Sequence, residues 1–148
     1  MARFDNAVAR PAAKKMDTNG DAFLADTLRM AGLAAEHKAF DIRAYDVRGL
    51  TLIADSFVVC STSSEPQLKA VHNAVMEGMK EEGVRPLYTE GSLQGGWKVL
   101  DYGTVILHIF REEPRAFYDI DSLWSDAPRI PLEDDGGSPA GESAGGAP

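Results

Sequence analysis

Residues 97–110 read Trp-Lys-Val-Leu-Asp-Tyr-Gly-Thr-Val-Ile-Leu-His-Ile-Phe, and their second half decides the fold. Val105, Ile106, Leu107, Ile109 and Phe110 leave almost no polar position, the pattern of a central strand covered on both faces. Such a strand needs a sheet around it and helices upon that sheet. Working outward, further extended segments are expected at Trp97–Tyr102 and Arg85–Thr89. Before them, Ser64 precedes Gln67 by three residues, a capping-box spacing, and Pro66 sits in the first turn where its missing N–H costs nothing. Leu68, Val71, Val75 and Met79 line the buried side of that helix, and Gly83 ends it.

Further upstream, Ile42, Ala44, Tyr45 and Val47 predict a short strand, Arg48-Gly49 a turn, and Phe57-Val58-Val59-Cys60 the strand that pairs with it. Phe23, Leu24, Leu28, Ala31 and Ala35 recur at helical steps from Asp21 to about Lys38. Downstream, Arg115 to Trp124 predicts one last short helix, closed by Pro128 and Pro131. The order α-β-β-α-β-β-β-α makes the fold class α/β in the broad sense (α+β): a mixed sheet flanked by helices. One domain is expected at 21–130, between a disordered extension at 1–20 and a disordered acidic Gly/Ala/Pro-rich tail at 131–148.

The formal net charge of -8 is uneven: residues 1–20 contribute +2, residues 131–148 contribute -4, and the domain carries -6. An acidic body argues for little direct nucleic-acid binding, since that affinity comes from Lys and Arg neutralising phosphates. A basic protein is the better electrostatic match. Cys60 is the single cysteine, so neither an intramolecular disulfide nor a thiolate metal cluster can form. No apolar run is long enough to span a bilayer, and a soluble, cytoplasmic protein without membrane contact is expected.

Trp97, Val99 and Asp101 share one face of a strand by parity, and Tyr102 falls on the other. An aromatic beside an acid suits a binding hot spot that steers a basic partner. The competing reading makes Trp97 a core residue and Asp101 the cap of the turn at Tyr102-Gly103. His108, inside the most apolar strand, reads as a satisfied core histidine, and three histidines without Cys or carboxylate spacing make no zinc site. Gly91-Ser92 resembles the Gly-Ser loop of nucleotidyltransferases, but the strand carboxylates that chemistry needs are missing. Asp119 and Asp121 read as a solvated helix face, and buried Cys60 as an inert small hydrophobe. No catalytic residue, metal or cofactor is assigned.

Several of these segments also match a family. Asp41-Ile42, Asp46-Val47-Arg48-Gly49, Asp55-Ser56-Phe57-Val58-Val59 and Ser61-Thr62-Ser63-Ser64 resemble the first half of the Iojap family, the ribosomal silencing factors. Glu90-Gly91, Trp97, Leu100-Asp101-Tyr102-Gly103, His108-Ile109-Phe110, Phe117-Tyr118 and Leu123-Trp124-Ser125-Asp126-Ala127-Pro128 resemble the second. The resemblance implies a mixed five-stranded sheet, nucleotidyltransferase-like without the catalytic acids. It also implies a translation repressor that binds the large ribosomal subunit through its fourteenth protein and blocks small-subunit joining. It makes Trp97 the aromatic anchor, with Asp101, Tyr102, Val99 and Glu90 in the same contact surface. Two rivals stand beside this reading: a nucleotidyltransferase-like enzyme, and a scaffold that self-associates through its sheet, including as a homodimer when free.

Overall fold

The computed structural model describes residues 21–132, and the extension expected at 1–20 and all but Pro131 and Leu132 of the tail expected at 131–148 lie outside them. In chain order the elements are α1 (Asp21–Glu36), β1 (Phe40–Asp46), β2 (Ser56–Thr62), α2 (Glu65–Glu81), β3 (Tyr88–Ser92), β4 (Trp97–Asp101), β5 (Val105–Arg111), α3 (Glu112–Tyr118) and α4 (Ile120–Leu123). The strands form one sheet in the order β1-β2-β5-β4-β3. β2 and β5 pair in parallel, with Val59 opposite His108, and every other neighbouring pair is antiparallel. Parallel neighbours need a crossover. Here α2 carries the chain from β2 toward the far edge, and β3 and β4 bring it back so that β5 closes the gap beside β2.

The apolar run at 105–110 is wholly buried. Alternation sends Val105, Leu107 and Ile109 toward α1 and α2, together with Val58, Cys60 and Leu100. Ile106 and Phe110 go to the opposite face with Phe57, Val59 and Val99, which is covered by the shorter chain after β5. Burial in the first layer pushes the Cys60 thiol pKa up to about 12, despite the positive charge of Arg115, which keeps the thiol protonated at neutral pH. Among the described residues, no helix is long and apolar enough to cross a membrane.

Helix α2 follows its sequence signals. Ser64 accepts from the Gln67 backbone N–H at 3.2 Å. Gln67 Oε1 in turn accepts from the Ser63 N–H at 2.6 Å, one residue short of the reciprocal bond of a full capping box. Gly83, at φ +81°, takes the left-handed position that lets Val84 N–H reach Met79 O at 2.9 Å, a Schellman ending.

Three expectations need correction. Leu24 and Leu28 are exposed, and α1 instead buries Phe23, Thr27, Met30, Ala31 and Ala34. Thr27 is admitted to the core because its hydroxyl donates to Phe23 O and bonds Ser56 Oγ, each at 2.7 Å. The segment expected at Arg85–Thr89 starts as a strand only at Tyr88, because Gly83 and Pro86 occupy the chain with the helix ending and the return to the sheet. The single helix expected from Arg115 to Trp124 is two helices, broken where Asp119 adopts φ +51°.

Candidate functional site

Helix α3 follows β5 without a loop, and one of its side chains dictates how it lies. Arg115 is buried and turned to the sheet, where Nη1 donates to Asp41 O at 2.6 Å and to Ser61 Oγ at 2.9 Å. Nε and Nη2 grip the Asp121 carboxylate at 3.0 and 3.2 Å, and the Tyr45 hydroxyl donates to the same group at 2.5 Å. Burial alone would raise the Asp121 pKa. The hydrogen bonds from Arg115 and Tyr45, with the charges of Arg115 and Arg43, outweigh that and hold it below the ordinary carboxylate value. Asp121 therefore belongs to a buried network, not to the solvated face its sequence suggested.

A helix advances about 100° per residue, so an inward Arg115 turns position 117 roughly 200° away, to solvent. Phe117 is 80 % exposed and Tyr118 52 %. Tyr118 swings over the end of the sheet, its ring centroid 4.6 Å from that of Trp97. Trp97 stacks on its cross-strand partner Phe110 at 4.9 Å and 24°, and Phe117 meets Tyr118 edge-on at 5.1 Å and 89°. The result is a continuous aromatic ridge from the partly buried Trp97 through Tyr118 to Phe117. Glu112, Glu113 and Asp119 are exposed on the same helix and its end.

The residues singled out from the sequence do not all reach this surface. Trp97 does. Val99 faces the same way but is buried beneath it. Asp101 shares the parity of Trp97, yet it is fully buried, and its carboxylate accepts the Gly103 N–H at 2.8 Å. It caps the β4–β5 turn, as the competing reading had it, and in this fold it cannot meet a partner's charge. Tyr102 lies on the other face, in the core against α1 and α2 and 8 % exposed, as parity required. Burial, then the charge of Asp26, pushes its phenol pKa up to about 12. Glu90 sits opposite Val99 on the edge strand and is half-buried. The sequence alone does not mark Phe117 and Tyr118 as contact residues. Adjacent aromatics in a short helix carry no mark of which way they point, and only the inward anchoring of Arg115 decides it.

Gly91-Ser92 lies at the exposed end of β3, and among the described residues no group of three or more His, Cys, Asp or Glu side chains is placed to hold a metal ion. A polar notch of about 410 Å³ opens between β1 and α3, where Asp41, Arg43, Arg115 and Asp121 pair with one another.

Comparison with known proteins agrees with this architecture. Residues 23–146 match the family model described as ribosomal silencing factor during starvation. A ribosomal silencing factor of Halalkalibacterium halodurans is 36 % identical over 98 residues, which span 66 % of this chain and 84 % of that protein. One from Bacillus subtilis is 34 % identical over 107 residues, 72 % of this chain and 91 % of that protein. A crystal structure of a Bacillus halodurans protein superimposes with a TM-score of 0.61 at 31 % identity, covering 71 % of this chain and 96 % of that one.

Proposed function

Because the chain belongs to the ribosomal silencing factor family, we propose that it represses translation by binding the large ribosomal subunit through that subunit's fourteenth protein and excluding the small subunit sterically. The observation that carries the contact is the ridge of Trp97, Tyr118 and Phe117. An exposed aromatic cluster on a rigid support is what a hot spot needs, because rings hide large areas at low conformational cost. With Asp101 buried, the steering charge falls to the exposed acids Glu112, Glu113 and Asp119, with Glu90 at the sheet edge. These suit a basic protein. Val99 supports Trp97 from below. The mechanism needs no catalytic residue, metal or cofactor, and it places the protein in the cytoplasm with the ribosomes.

A steric blocker acts in proportion to the subunits it occupies. Added to separated ribosomal subunits, the protein should lower the yield of joined ribosomes on a sucrose gradient, saturating as the large subunits fill, with no nucleotide present. Raised salt should slow its association, because the Debye length shortens to about 10 Å near 0.1 M. Undiminished joining at saturating protein, or a block that requires consumption of a nucleoside triphosphate, would overturn the proposal.

A further inference from the structure

The most apolar strand holds one polar ring, and that ring touches the ridge. His108 is fully buried on β5. Its register partner is Val99, so Trp97, two residues away on β4, lies diagonal to it. The Trp97 Nε1–H donates to His108 Nδ1 at 3.2 Å, with ring centroids 5.9 Å apart and planes at 36°. His108 is itself packed by Phe57 at 5.2 Å and Phe110 at 6.2 Å. An indole N–H can only donate, so Nδ1 is the acceptor of this bond.

We propose that His108 is a positioning residue for the partner contact: its Nδ1 lone pair sets the rotation of the Trp97 indole, and so the shape of the ridge. The stack on Phe110 limits the tilt of the indole, and within the stacking plane its two side-chain torsions keep the freedom of their rotamer wells. A directional hydrogen bond removes that freedom, because a rotated indole would leave its part-buried N–H unmet. The indole is then held beside Tyr118, and the ridge stays continuous to Phe117. The proposal rests on Trp97 belonging to the contact surface, as argued above.

Two substitutions separate positioning from packing. In His108→Asn the side-chain oxygen stands near the place of Nδ1 and keeps the acceptor, whereas His108→Leu keeps volume and removes it. The indole N–H resonance of Trp97, identified by its loss in Trp97→Phe, reads the hydrogen bond directly, and titration with purified large subunits reads the contact. His108→Leu should stay folded, shift that resonance upfield and weaken binding about tenfold, the scale of one lost hydrogen bond. His108→Asn should restore the resonance and most of the affinity. Equal loss in both variants, or an unmoved resonance in His108→Leu, would reduce His108 to packing and overturn the proposal. So would a shifted resonance with unchanged affinity. If His108→Leu fails to fold, His108→Gln replaces it, since its amide reaches the Nε2 position instead. Should the wild type itself not bind large subunits, the functional proposal falls, and the resonance still decides whether His108 holds the indole.

Discussion

Phe117 offers the sharpest test of the proposed contact, because its ring contributes little to the fold. It is 80 % exposed, so Phe117→Ala removes little buried area. The edge contact with Tyr118 is worth about 1 kcal/mol, so melting should fall by no more than a few degrees. Binding is a different matter. A buried Phe hides about 150–250 Å², so covering the exposed four-fifths would remove roughly 120–200 Å² from water, worth about 3–5 kcal/mol at about 25 cal/mol per Å². Ordering the side chain and imperfect desolvation reduce that ceiling, which leaves an expected loss of about 1.5–3 kcal/mol, or roughly 10- to 150-fold in dissociation constant. The assay is co-sedimentation of wild type and variant with purified large subunits across a titration, beside thermal melts of each protein alone. A variant with an unchanged melt that binds within about threefold of wild type would show that the ridge is not the contact.

Asp121 should govern acid stability. Its folded pKa lies below the unfolded value of about 3.9, so its contribution is fully present above that pH and is lost as pH falls through the folded value. Urea midpoints between pH 6 and 3 should fall more steeply for wild type than for Asp121→Asn, and parallel curves would contradict the network. Asp121→Ala at neutral pH leaves the buried Arg115 guanidinium with only the Asp41 carboxylate at 3.7 Å and should cost about 3 kcal/mol, measured by chemical denaturation. Gly91→Ala should cost more than about 1 kcal/mol, since the residue sits at φ +91° and a Cβ would stand 1.9 Å from the Trp97 carbonyl oxygen. A wild-type melting temperature in that variant would show that the edge strand yields locally.

Much of this molecule was legible along the chain because the physics was local. The unbroken apolar run at 105–110, the Ser64 cap, the Schellman glycine at 83 and the alternation that separates Tyr102 from Trp97 each depend on neighbours within a few residues. The central strand, helix α2 and the mixed sheet followed from them, whereas the family followed from the resemblance of the motifs between Asp41 and Pro128. What the chain alone left open was decided by pairings across long separations. Thr27 enters the core because Ser56 is there to meet it, and Leu24 and Leu28 turn outward as a result. Asp101 and Asp121 both leave the exposed positions their surroundings in sequence suggested: one is drawn inside to cap a turn, the other to hold Arg115. That guanidinium, reaching Asp41 and Ser61 on strands more than fifty residues earlier, orients α3 and thereby exposes Phe117. A short helix has too few residues for its own periodicity to choose a face. Its direction is a tertiary decision, made where a buried charge must find its partners.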